Sequence, residues 1–361
     1  MVAVAVANGV VSAVRWRFRE AKKLQIPSGV HTLFDKAFHN NCNLTVIALP
    51  NTLKWIEKGT FEYCVGLRDI ILPKGLRKIG DFAFRHCTSL TSMLFPDTLV
   101  KIGKCAFDSC YNLAIVTLVQ TPITMGEEIF NRCFRLASFN LPRPCVAIPK
   151  PFFAICRSLT SVTLPNTLTC ICDSAFARCC SLTSTSIPNT VTCIQDRAFG
   201  YCERLPSIVL PDALTSIGAR AFTSCKKLAS VRFPNLLTTI RRDAFCECRA
   251  LTSVSLPDGV QFIGKGAFVF CPKLTRVSFR PPIGRASFVA WALGNMRNRQ
   301  NWALTTIQRM RNILRLITEY SREERNVEEA TVDPDGFNRV FDVCDEEYVQ
   351  DYSRGYFICG S

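Results

Sequence analysis

Apolar positions return along this chain at a spacing of 23 residues. Phenylalanine holds one such position eleven times, at Phe38, Phe61, Phe84, Phe107, Phe130, Phe153, Phe176, Phe199, Phe222, Phe245 and Phe268. A leucine follows each of them by six residues, from Leu44 to Leu274. A cysteine follows by three in ten units, from Cys64 to Cys271, and Cys42 stands one place late in the first. A fixed period of this size predicts a solenoid, in which each unit buries its apolar face only against its neighbours.

The unit from Leu159 to Phe176 shows how one coil is built. Val162 and Leu164 alternate with Ser161 and Thr163, the period of a half-buried strand. Pro165 ends that strand, because proline cannot donate to a ladder, and Asn166 supplies turn chemistry. Leu168 and Ile171 restart the apolar alternation as a second short strand. Asp173 or Ser174 is expected to cap a turn of helix carrying Ala175, Phe176 and Cys179, with Phe176 filling the interior. Prolines from Pro50 to Pro257 and isoleucines from Ile56 to Ile263 keep the same register in nine units each. Coils stacked about 5 Å apart make an array of about 50 Å.

The pattern Leu-Thr-Ser-Val-x-Leu-Pro-x-x-Leu-x-x-Ile-Gly-x-x-Ala-Phe-x-x-Cys resembles that of BspA-like leucine-rich repeats, and Leu251 to Cys271 follows it almost throughout. The resemblance covers residues 18–282. It implies a right-handed, β-rich solenoid with a parallel sheet on one face. It implies little about function, since members include bacterial surface proteins and many without an assigned role.

The sequence divides into an N-terminal cap segment (1–17), the repeat array (18–282), a helical C-terminal cap (283–326) and an acidic tail (327–361). The cap rests on Ala303, Ile307, Met310, Leu314 and Ile317, which form one apolar helical stripe. Asp333-Pro-Asp-Gly336 reads as a turn, since a calcium loop in that register would begin at Thr331, not an acid, and end at Asp342 instead of glutamate. Two neighbouring units depart from the pattern. Val119 replaces the strand-ending proline and Met125 the isoleucine; Pro142, Pro144, Pro149 and Pro151 then crowd the next unit, where Phe152 takes the alanine position. These changes read as a local bulge that a partner recognises or as drift in a robust array.

Charge adds a second layer. The net charge is +15, with 34 Lys/Arg against 17 Asp/Glu over residues 1–282 and 2 against 9 over 327–361. Before the expected helical turn, Arg197, Arg220, Arg242 and Lys265 fall in adjacent units; after it come Arg204, Lys226, Lys227, Arg249 and Lys273. These residues predict one positive patch and are the candidate partner-binding residues, with a solvated face as the plain alternative. The acidic tail is expected to fold back over the patch through Asp345, Glu346 and Glu347. A row of outward serines, Ser92, Ser138, Ser161, Ser184, Ser207, Ser230 and Ser253, suits a binding face or simply a solvated strand.

Catalytic signatures do not emerge. The three histidines, His31, His39 and His86, lack a nucleophile or carboxylate pair at motif spacing, and phosphate-cradling loops are missing. The sequence predicts neither enzyme activity nor a cofactor. Of the 20 cysteines, ten hold one core position and read as small apolar side chains in a reducing compartment. Cys170 and Cys193 share a position in adjacent coils, close enough to consider a disulfide, and no metal site is predicted. The apolar start, Met1 to Ala7, lacks a preceding positive residue and reads as a poor signal peptide; no stretch is long enough to span a membrane.

These observations predict a non-catalytic protein–protein interaction scaffold in the cytoplasm or nucleus. One alternative is a secreted or cell-surface adhesion module, for which glycan on Asn43, in Asn43-Leu-Thr45, would speak. The other is a binder of anionic surfaces or polymers through the basic patch. Nucleic acid is not favoured, because interleaved aromatics and groove-entering elements are missing.

Overall fold

The computed structural model describes Val6–Ala7, Val10–Val11 and residues 21–118 and 122–278. The chain divides into two compact units, Met1–Gln300 and Asn301–Ser361, and the array lies in the first. The expected helical cap, acidic tail and tail–patch contact lie outside the described residues, as does the Asp333–Gly336 turn.

Each coil contributes two short strands and a run of turns. Strands of the first face recur from Lys23–Gln25 to Arg276–Ser278, and those of the second face from Val10–Val11 to Phe262–Ile263. Pairing is parallel with partners 23 residues apart, as in Ser161↔Ser184 and Cys193↔Ser216, so the sequence period is the register. One exception lies at the start, where Val6–Ala7 pairs antiparallel with Val10–Val11, which then pairs with Thr32–Leu33. The alternation works as the sequence requires: in Ser253–Ser255 the flanking serines are exposed and Val254 is buried. The fold is therefore the solenoid that the period predicted, with the parallel strands that the resemblance implied.

Phenylalanine forms the spine. All eleven ladder rings are buried. Adjacent rings stack at centroid distances of 5.1–6.1 Å with interplanar angles of 3–18°. The two widest steps, 5.8 and 6.1 Å, flank Phe130. There Phe152 takes the alanine position and packs edge-on against Phe130 and Phe153, adding a ring where most coils hold only a methyl group.

The third side differs from the sequence expectation: it contains no helical turn. Residues two before and two after the ladder Phe adopt left-handed backbone, as at Ser174 (φ 56) and Arg178 (φ 61), except that Pro151 takes the first of these places before Phe153. Every second amide then points along the solenoid. Ser174, Phe176 and Arg178 donate to the carbonyls of Asp196, Ala198 and Gly200 in the next coil, at 2.9, 2.8 and 2.7 Å. The amides between them close tight turns within the coil, as Ala177 does to Ser174 at 3.1 Å. A helix would turn these groups onto its own axis and leave the coils unjoined. Asp173 likewise caps its neighbour: its Oδ1 accepts the Asp196 amide at 3.2 Å.

The ladder cysteines also do more than fill space. In ten successive coils the thiol donates to the carbonyl of the Phe in the preceding coil, from Cys64 to Phe38 through Cys271 to Phe245, at 3.1–3.3 Å. Burial pushes the Cys64 and Cys225 thiols up to about 12 and those of the ladder from Cys87 to Cys248 upward too, so these thiols stay protonated. The sequence offered the period but not the bond.

Candidate interaction surfaces

The predicted basic residues do not form the rows expected. Arg197 and Arg220 share the left-handed position before the Phe, but the next coil places Asp243 there, so Arg242 sits one residue out of register, aligned with Lys265. Asp243 is buried and its Oδ2 accepts from both Arg220 Nε and Arg242 Nε at 3.3 Å. After the turn, Lys226 and Arg249 continue the column of Glu203, and Lys226 Nζ lies 2.7 Å from Glu203 Oε1. Arg204, Lys227 and Lys273 form a separate exposed column. The patch is thus divided, and Arg220, Lys226 and Arg242 sit on carboxylates. Sequence reading missed a second basic group on the second face, Lys54, Arg77, Lys78 and Lys101, in adjacent coils beside the part-exposed Trp55.

Toward the N-terminal part of the turn side, charges alternate inside the array. Arg85 bridges the buried carboxylates Glu62 and Asp108 at 3.3 and 3.2 Å, and Asn131 Nδ2 donates to Asp108 Oδ1 at 3.0 Å. Tyr63 stacks on His86 (4.6 Å) and Tyr111 on Phe134 (4.7 Å) nearby. These groups partner one another, which makes them structural first.

The first face carries the surface that lacks such partners. Its outward serines are exposed or half-buried from Ser92 to Ser253, as expected. Toward the N-terminal end, however, large aliphatics take the outward positions: Val46 (37% exposed), Ile71 (85%), Leu94 (67%) and Ile115 (63%). They lie in four successive coils. Ile71 and Leu94 hold equivalent positions one coil apart, and Ile115 pairs in register with Ser92 beside Leu94. A single exposed leucine is ordinary; a cluster of large aliphatics on one face of the array is a candidate docking surface by composition. Its signal was legible in the alternation, since these residues fall on the polar phase of the strand.

On the second face, Cys170 and Cys193 are register partners with their sulfurs 2.7 Å apart, and Cys172 Sγ lies 3.9 Å from that of Cys170. A shallow groove of about 380 Å³ runs past Cys193, lined also by Lys150, Asp173, Gln195, Asp196 and Arg241. Among the described residues, no group of three or more His, Cys, Asp or Glu is arranged to hold a metal ion, and no helix is long and apolar enough to cross a membrane.

Comparison with known proteins places this architecture. The profile of the BspA type leucine-rich repeat region matches residues 15–114, 77–205 and 171–289. A leucine-rich repeat protein from Bacteroides ovatus is similar at 25% identity, over 75% of this chain and 76% of that one, with a TM-score of 0.53. A leucine-rich cell surface protein from Faecalibacterium prausnitzii is similar at 21% identity over 78% and 92%, TM-score 0.41. The pneumococcal vaccine antigen PcpA matches at 21% over 71% and 61%, TM-score 0.46. Comparison with curated proteins gives no match. With a profile match spanning most of its length and a structure built on the same 23-residue coil, the chain belongs to the BspA type leucine-rich repeat family.

Proposed function

We propose that this protein is a non-catalytic interaction scaffold that binds a protein partner through the N-terminal part of its first face. The observation that carries this reading is the cluster Val46, Ile71, Leu94 and Ile115, four large aliphatic side chains held outward in four successive coils. Burying such side chains contributes roughly 25 cal/mol per Å² of apolar surface, and interface energy concentrates in a few such residues. A solenoid fits the role, because its stacked coils hold the cluster in place without a binding partner.

The second reading, binding of anionic polymers, draws on the exposed column of Arg204, Lys227 and Lys273, with Arg197 and Arg249 near it. The ion pairs of Arg220, Lys226 and Arg242 weaken it. A reducing compartment suits the protonated cysteine ladder; a secreted adhesion module remains the rival location.

One experiment separates the two surfaces. Tagged wild-type protein, Ile71→Asp/Leu94→Arg and Arg204→Glu/Lys227→Glu are compared in affinity capture from the native cell and on heparin. The aliphatic double variant is expected to lose the captured partner while eluting from heparin at the wild-type ionic strength. Partner loss only in the charge variant would overturn the aliphatic surface and favour the basic one.

A further inference from the structure

We propose that Cys170 and Cys193 are a thiol pair that closes to a disulfide by exchange with a low-molecular-weight disulfide, making the second face a redox-modifiable site. The geometry is that of a bond nearly formed. Both residues are strand residues, each the register partner of the other in adjacent parallel strands. Such strands run about 4.8 Å apart, inside the 4.4–6.8 Å between Cα atoms that a disulfide spans. Both side chains point to the same outward side, and the sulfurs are 2.7 Å apart as free thiols. Little backbone movement is needed to close them.

Surroundings favour this pair over the other cysteines. The row continues as Ala147 before Cys170 and Ser216 after Cys193, so small side chains flank the two sulfurs. Both are half-buried, whereas the ladder thiols are buried and donate to Phe carbonyls. Cys193 lines the open groove, which gives an incoming disulfide access to its sulfur.

The exchange balances in two steps. The Cys193 thiolate attacks one sulfur of the small disulfide RSSR, forming a mixed disulfide and releasing one RS⁻, which takes a proton. The Cys170 thiolate then attacks Cys193 Sγ and expels the second RS⁻. Two protein thiols are oxidised, one RSSR is reduced to two RSH, and the thiol protons end on the leaving groups. Burial and the Cys193 sulfur raise the Cys170 thiol, so the second step quickens as pH rises.

The full-length protein is incubated with glutathione disulfide at pH 7 and pH 9, and thiols are counted under native quench. Peptide mapping by tandem mass spectrometry locates the bond. The expected result is loss of two thiols per chain, faster at pH 9, with Cys170 joined to Cys193 and full recovery in dithiothreitol. Cys172→Ser should leave this unchanged; Cys170→Ser and Cys193→Ser should each abolish the intramolecular bond. A wild-type protein that keeps all its thiols would overturn the proposal. So would a bond mapping to Cys170–Cys172, or a mixed disulfide on Cys193 that never resolves. Mapping on wild-type protein decides the matter even where a variant fails to fold.

Discussion

Thr185 shows what one residue costs an otherwise regular core. It takes the inward place of its strand, where the neighbouring coils put Val162 and Ile208. Its Oγ1 is buried without a hydrogen-bond partner. An unsatisfied hydroxyl of this kind costs roughly 1–3 kcal/mol. Valine has nearly the same shape without the polar atom, so Thr185→Val is expected to stabilise the protein by about 1–2 kcal/mol. Urea denaturation of the two proteins measures this; an unchanged or lower midpoint would show that the hydroxyl is satisfied in solution. Backbone strain is spread more widely. Ile155, β-branched yet at φ 63, is held left-handed by its amide bond to the Ala177 carbonyl at 2.7 Å.

At the scale of the strands and turns, both faces of the described array break at one step. On the second face, Val10–Val11 to Thr124–Met125 make one continuous sheet and Ala147–Ile148 to Phe262–Ile263 another, with no pairing between them. The first face breaks at the same step, between Ile115–Thr117 and Ser138–Asn140. Among the described residues the turn side continues, through Glu128, Phe130 and Arg132 to the carbonyls of Lys150, Phe152 and Ala154. Proline weakens the step that follows: Pro151 stands where other coils place a left-handed residue whose amide reaches the next coil, and it has neither option. Hydrogen exchange should therefore be faster at Ala147 and Ile148 than at Cys193 and Ile194, whose strand is paired on both sides. Equal protection at the two places would mean that the seam closes in solution. The irregular units were visible in the sequence, and so were both strands of every coil, because period-two alternation reports which side is buried. The turn side was not legible as built, since an Asp or Ser before Ala-Phe looks like a helix cap until the next coil offers its carbonyls. The basic residues were equally visible, but their pairing was not: a single-residue offset decides whether Asp243 or Arg242 stands in the column.

For the repeat array as a whole, stability is a sum of coil and neighbour terms, so damage should remain local wherever neighbours are weakly joined. The seam between Met125 and Ala147 is such a place. Phe84 lies well before it, fully buried and stacked on Phe61 and Phe107 at 5.1 Å. Phe84→Ala removes a ring from the spine and should cost its own coils about 3–5 kcal/mol. In a globular domain that loss would lower protection everywhere, because unfolding there is all-or-none. Here the second-face strands Ser216–Ile217, Thr239–Ile240 and Phe262–Ile263 belong to a sheet separate from the one around Phe84, and the coils keep their own stacked rings, from Phe199 to Phe268. Hydrogen exchange of Phe84→Ala should accordingly show amides of Trp55–Ile56, Lys78–Ile79 and Lys101–Ile102 opening sooner, while those of Ser216–Ile217 and Thr239–Ile240 keep their wild-type rates. Uniform acceleration across both groups would show that the eleven coils unfold as one cooperative unit despite the broken sheets.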